Sequence, residues 1–305
     1  MGFFDHYADY EYFLAASQLA FAMLGMGALL GFRDFTDVFS RPRQLLLGLT
    51  LQLVVVPVMA LVVASALPLP PGMAAGLALV AAVPGGTMSN IMTHLGRGNI
   101  ALSISLTAVT TVGSLFTTPM LLRLLAGTHL PPDFEMPMAR IASEIGVVLL
   151  APLLAGMLYG NLRPVYRDVF SKWCIRTSFA FIAALVVGSA GAGRLDTSAY
   201  GAIGPLAIVA FCFAIQLAAW GVTLATRLAV RDRVAIGIEV TIRNTNLALM
   251  IKASLFPAVT GVADPIGDGM FFVALLYGGV ALPLSIVPVI VGRRAERRAS
   301  SAPRS

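Results

Sequence analysis

This sequence predicts an all-α polytopic membrane protein with about nine transmembrane helices, and three observations carry the prediction. Of its 305 residues, 58% are hydrophobic and 12% charged, against roughly half apolar and a quarter charged in a soluble domain. Apolar runs of about 18–25 residues recur along almost the whole chain, each long enough to cross a bilayer, and leave no stretch of the roughly 50 residues that a separate soluble domain needs. Basic residues gather in alternate gaps between those runs. A nucleic-acid surface would instead interleave arginines with aromatics along one stripe, so the net charge of +6 reads as membrane topology and argues against a nucleic-acid partner.

The spans run over residues 13–32, 44–66, 72–95, 99–126, 140–162, 174–193, 202–226, 234–256 and 268–291. Asp5, Asp9 and Glu11 stand where a signal peptide carries its basic region, so the first run is expected to remain as a helix. With the amino terminus outside, the inner loops hold Arg33, Arg41 and Arg43, then Arg97, then Arg163, Arg167, Lys172 and Arg176, then Arg227, Arg231 and Arg233. The tail over 292–305 adds Arg293, Arg294, Arg297, Arg298 and Arg304, which places 16 of the 21 Lys and Arg inside. The opposite gaps are nearly bare: 67–72 has no charge, and Asp264 and Asp268 are acidic. Cys174 and Cys212 lack both metal-ligand spacing and an extracellular partner and read as packing residues.

Two spans depart from a plain lipid-facing pattern. The third is interrupted by Pro84-Gly85-Gly86-Thr87-Met88-Ser89-Asn90, and the eighth carries Glu239, Thr241, Arg243, Asn244, Thr245 and Asn246 through its middle. A mid-span Pro-Gly-Gly frees backbone amides and carbonyls that survive in hydrocarbon only where they line a cavity or meet a ligand. Discontinuous helices in corresponding places of two repeats mark the substrate and ion site of a secondary transporter. These two breaks correspond if the first of two five-helix inverted repeats lacks its opening helix. The plain alternative for residues 84–90 is a proline kink between packed helices. Against it stand the paired glycines and the hard oxygens of Ser89 and Asn90, which suit sodium. Ser103 and Thr107, four apart on one helix face, are placed to complete the same cage.

Glu239 is the strongest single residue, because an acid at mid-span costs about 2.5–3.5 kcal/mol to insert and needs a partner. That partner is a bound cation or Arg243, which at i+4 makes an ion pair if the helix is intact there. Asn244, Thr245 and Asn246 extend the patch, with Thr87 facing it, as candidate carboxylate ligands. Gln216 reads as an interhelical hydrogen-bonding residue, Glu144 as interfacial, and Arg123 and Lys252 as side chains that snorkel to a surface.

These residues resemble the bile acid:sodium symporter family, including its bacterial members. Pro84-Gly85-Gly86-Thr87-x-Ser89-Asn90-x-Met92-Thr93, continuing through Arg97-Gly98-Asn99-x-Ala101-Leu102-Ser103, is similar to that family's first interrupted helix. Glu239-Val240 with Asn244 resembles the second, and Gly25-Met26-Gly27 before Phe32 the opening helix. The resemblance implies two inverted repeats. A panel domain (13–32 and 140–193) and a core domain (44–126 and 202–291) would move against each other, with the interrupted helices crossing near 84–90 and 239–246. Some bacterial relatives have ten spans, and the one missing here belongs to the panel. The resemblance also implies the inner membrane of a bacterium, with the carboxyl terminus cytoplasmic.

Carried over position by position, the resemblance implies one sodium site from Ser89, Asn90, Ser103, Thr107 and Glu239. A second would use Gln52, Glu239, the backbone of Val240 and Ile242, and a glutamine where this chain has Arg243. A fixed guanidinium beside Glu239 supplies the charge that a second sodium would bring, so at most one sodium is expected. Gln52 is then left as a partner for Arg243 or Glu239. Thr87 and Asn244 match positions near the substrate, and crossing half-helix ends suit an anion. The expectation is therefore sodium-coupled symport of an organic anion, with no cofactor beyond the coupling ion. Family members carry sterol conjugates, pantothenate-like acids and small keto acids, and a small monocarboxylate is the preferred substrate here.

A sodium-independent or proton-coupled carrier is the alternative, with Arg243 standing in permanently for the cation. A membrane sensor or scaffold is another, although no signalling domain is appended. An intramembrane hydrolase would need paired aspartates, a Ser-His arrangement or a His-Glu metal motif within the spans, whereas His6, His94 and His129 lie at span ends or in loops.

Overall fold

The apolar runs fold as helices whose ends are set by prolines, by capping side chains and by charged loops. The computed structural model describes residues 7–31, 42–86, 88–194, 200–259 and 262–301. In chain order these residues form α1 (Tyr7–Gly27), α2 (Pro42–Ala66), α3 (Pro71–Ala82), α4 (Met88–Leu95), α5 (Ile100–Ala126) and α6 (Met138–Leu162). There follow α7 (Arg167–Gly191), α8 (Ile203–Ala225), α9 (Val230–Thr241), α10 (Thr245–Leu255), α11 (Pro265–Leu284) and α12 (Ile286–Ser301). The described fold is all-helical.

Six helices are long and apolar enough to cross a bilayer by themselves: α2, α5, α6, α7, α8 and the nearly continuous α11–α12, with 23 to 34 residues each, where about 20 suffice. Their outward faces are apolar, with Phe116 74%, Val147 69% and Trp173 62% exposed, a surface that belongs in hydrocarbon. Beside them stand α1, which begins ahead of the expected residue 13 and ends at Gly27, and two pairs of short helices, α3 with α4 and α9 with α10.

Local chemistry fixes the boundaries. Pro71 and Pro265 open α3 and α11 at the position where a missing N–H costs nothing. Asn99 caps α5 by accepting from the Leu102 amide at 3.2 Å, and Asp264 caps α11 through the Gly267 amide at 2.9 Å. Both interruptions are breaks and not bends. Val83, ahead of Pro84, is extended (φ −76°, ψ 154°), as a pre-proline residue prefers. Ile242 is extended after α9 (φ −88°, ψ 102°), and Asn244 restarts the helix as the cap of α10.

Two sets of close helix packing stand out, and they also touch each other, α1 against α10 and α5 against α6. In one, α1 lies against both α6 and α7. Gly156 and Gly160, four residues apart on α6, let the backbones touch, since a Cβ at either would strike the Leu24 or Ala28 carbonyl. In the other, α3 is held between α11 and α5, and α9 between α8, α4 and α5. Cys174 and Cys212 are buried free thiols.

Candidate ion site at the crossing of two broken helices

The two breaks meet and satisfy each other. Gly85 and Arg243 pair as an isolated antiparallel bridge, in which the Gly86 amide donates to the Ile242 carbonyl at 2.7 Å and the Asn244 amide to the Pro84 carbonyl at 2.9 Å. Backbone groups released by the breaks are thus paired where hydrocarbon offers no partner. The glycines permit the approach: a Cβ on Gly85 would collide with Glu239 Oε1, and one on Gly86 would lie 2.7 Å from the Arg243 carbonyl oxygen. Gly85→Ala is therefore expected to lower the melting temperature by several degrees and to displace the carboxylate. Unchanged thermal unfolding of that variant would contradict the crossing.

Glu239, fully buried in the last turns of α9, points at α5. Its Oε1 accepts from Thr107 Oγ1 at 2.7 Å and its Oε2 from Ser103 Oγ at 3.1 Å. Asn90 Oδ1 lies 2.8 Å from Ser103 Oγ and 3.5 Å from Thr107 Oγ1. All five oxygen-bearing residues expected at the first sodium site are therefore brought together from α4, α5 and α9, Ser89 also lying within hydrogen-bonding reach of Glu239. Ser89, buried beside Asn90, donates its hydroxyl to the Gly86 carbonyl at 2.7 Å. One carboxylate among neutral hard oxygens is the donor chemistry of a monovalent cation, and each hydroxyl offers lone pairs once it turns its proton away.

Arg243 departs from the ion pair that an unbroken helix would allow. The helix is broken at the extended Ile242, and among the described residues the guanidinium makes no direct ion pair with Glu239. Instead, Nη1 donates to Gln52 Oε1 at 3.1 Å, Nη2 to the carbonyls of Ala81 (3.0 Å) and Val83, and Nε to that of Val80 (3.4 Å). These carbonyls end α3, where four lack intrahelical donors and the helix dipole is negative. Arg243 thereby caps a half-helix in the protein interior, only 4% exposed. Gln52 sits in a widened, π-type turn over Leu51–Val55, a local distortion common at functional positions. Val240 lies in the last turn of α9, and the Ile242 carbonyl is already used in the crossing.

Three residues of the expected substrate patch, Asn244, Thr245 and Asn246, are among the described residues. Thr87 lies outside the described residues. Asn244 spends its side-chain oxygen on the Leu247 amide at 3.1 Å, Thr245 faces Gly278, and the Asn246 carbonyl accepts from Gln18 Nε2 at 3.0 Å. Gln18, fully buried on α1, is the residue that sequence reasoning missed; a glutamine in the middle of an apolar run was the available signal. Gln216 makes an interhelical hydrogen bond to the Leu284 carbonyl at 3.0 Å. Lys252 does not snorkel: it is 1% exposed and bonded to Glu11 at 2.6 Å, because α1 supplies a carboxylate at its depth. Glu144 bridges to the exposed Arg140 at 3.1 Å and accepts from Ser254 Oγ at 2.7 Å, while Arg123 stays exposed.

Comparison with known proteins places these features. A model of the Sodium Bile acid symporter family matches residues 16–194, a stretch that includes Gln52, Ser89, Asn90, Ser103 and Thr107 and ends before Glu239. The chain is 44% identical over 138 residues to the "probable sodium/metabolite cotransporter BASS1, chloroplastic" of Arabidopsis thaliana, covering 45% of this chain and 33% of that protein. It is 37% identical over 140 residues to the "uncharacterized sodium-dependent transporter YocS" of Bacillus subtilis, covering 46% of this chain and 42% of that one. A rice relative, the "probable sodium/metabolite cotransporter BASS2, chloroplastic", is 35% identical over 150 residues, 49% of this chain and 35% of its own length. The chain thus spans a third to under half the length of these curated relatives. With more than half of its residues matched by the family model, the chain belongs to the Sodium Bile acid symporter family.

Proposed function

We propose that the chain is a secondary transporter that carries one sodium ion with a small organic anion by alternating access. The observation that carries this reading is the pairing of Gly85 with Arg243 in two broken helices directly beside the Glu239, Ser103, Thr107 and Asn90 oxygens. Sodium there is bound by Glu239, Ser89, Asn90, Ser103 and Thr107. Arg243, held by Gln52 and the end of α3, takes the place of a second cation. The chain is read as nine spans, each pair of short helices counting once, arranged as two inverted repeats with the first helix of the first repeat missing. The α1–α6–α7 group is the panel and the rest the core. Thr87, Asn244, Thr245 and Asn246 are the residues assigned to the substrate. The protein lies in a bacterial inner membrane with its amino terminus outside and its tail in the cytoplasm.

Charge counting supplies the test. One sodium with one monocarboxylate moves no net charge, whereas two sodium ions would move one. Purified protein in liposomes is expected to take up a labelled monocarboxylate only with an inward sodium gradient, at a rate unaffected by a membrane potential imposed with potassium and valinomycin. A potential-sensitive rate would contradict the single-cation reading. Sodium-independent uptake would favour a second reading, a proton-coupled or uncoupled carrier, for which the relevant observation is that Thr107 and Ser103 already satisfy both Glu239 oxygens.

A further inference from the structure

Outside the crossing, the densest set of buried charges joins α1 and α7 to α10 and α11. Glu11 and Lys252, 2% and 1% exposed, are bonded at 2.6 Å, and the second Glu11 oxygen accepts from the Ala258 amide at 2.9 Å. Arg194, just past α7, lies 3.8 Å from Glu11 and bridges to Asp268 on α11 at 3.4 Å. These contacts tie the panel group to the core group. Further side-chain hydrogen bonds cross between the groups, Glu144 with Ser254, Arg123 with Met138, and Gln18 with Asn246. All except the last lie at the end of the molecule where α1, α6 and α11 begin and α5, α7 and α10 end. A cluster of polar contacts between the groups thus gathers at that end.

We propose that Glu11, Lys252, Arg194 and Asp268 form a latch that holds the panel to the core on the outer face, so that the pathway is closed there until the latch separates. The inference rests on the alternating-access reading. Its energetics suit a switch. Burying an ion pair costs desolvation nearly equal to the attraction it gains, so a pair that separates into water moves between two states of similar free energy. Removing one partner is different, since it leaves the other charge buried and alone and disfavours only the closed state. Arg194 adds to this poise: its Nη1 and Nη2 are buried without a hydrogen-bond partner among the described residues, a deficit that water relieves on opening.

The test uses a cysteine at Ala15, fully buried on α1. It lies between Glu11 and Gln18 on the stripe that meets α10. In a Cys174→Ser/Cys212→Ser background, its labelling by a water-soluble maleimide reports opening of the outer side in purified protein. Lys252→Met is expected to speed labelling about tenfold, and Glu11→Gln/Lys252→Met to return it towards the parent rate. Asp268→Asn, at the more exposed rim, gives a smaller increase and still decides the matter if Lys252→Met does not fold. Lower melting temperatures with unchanged labelling would overturn the latch, as would a double variant that labels as fast as the single one. Neither sodium nor substrate enters the readout. A chain that labels as expected yet carries nothing overturns the transport reading alone, and one that transports but labels without change overturns the latch alone.

Discussion

Glu239→Gln is expected to abolish the rise in thermal stability that sodium produces, while leaving the sodium-free protein no less stable than the parent. The carboxylate is the only anionic group among the assembled oxygens and accepts from both Thr107 and Ser103; a neutral amide of the same shape accepts from one hydroxyl through its oxygen and donates through its NH2 to the other, once that hydroxyl turns its proton away. Losing the charge removes the strongest attraction to a cation, worth about 2 kcal/mol or more, which is over tenfold in affinity. It also relieves a buried carboxylate that has no ion-pair partner in the absence of the cation, so the fold itself does not suffer. A glutamine variant with the parent's sodium response would mean that the cation, if bound, is held elsewhere.

The second large effect is expected from Arg243→Gln. The guanidinium now serves Gln52 and the Val80, Ala81 and Val83 carbonyls. Deleting it leaves these acceptors buried and unserved, at a cost of about 1–3 kcal/mol for each one left without a donor in the absence of sodium. The same oxygens, with Glu239 nearby, are what a cation requires. Added sodium is therefore expected to restore much of the lost stability, with a Hill coefficient rising from about one towards two. Uptake by this variant becomes sensitive to membrane potential. A destabilised variant whose sodium dependence keeps the parent's steepness would show that the guanidinium does not stand in for a cation.

Much of the site was legible because membrane solvation leaves few explanations for a polar residue at mid-span. Pro84-Gly85-Gly86 announced a broken helix, and Ser89, Asn90, Ser103, Thr107 and Glu239 announced oxygens that hydrocarbon would not accept without purpose. Local spacing failed where the helix itself failed. At i+4, Arg243 pairs with Glu239 only if the helix is intact between them; the extended Ile242 breaks it, and the guanidinium goes to a half-helix end some 160 residues away. Asn244 reads as a substrate ligand because its amide donor suits a carboxylate, and spacing gives no sign that its side-chain oxygen also caps the helix restarted at the break. Lys252 was read as snorkelling because its partner is 241 positions away on α1, a distance over which composition carries no signal. The long helices were the easiest elements, since their lengths are imposed by the bilayer. The start of α1 was harder, because Asp9 and Glu11 dilute its apolar run.

The central claim is that the crossing binds one sodium ion, and thermal stability against sodium tests it most directly, with choline holding ionic strength constant, for the parent and Ser103→Ala together. Binding to the folded state raises stability by RT ln(1 + [Na+]/Kd), about 2.7 kcal/mol at a hundred times Kd. The parent is expected to show a saturable, sodium-specific rise with a Hill coefficient of about one, and Ser103→Ala to lose it. A parent protein equally stable in sodium and in choline would contradict the account.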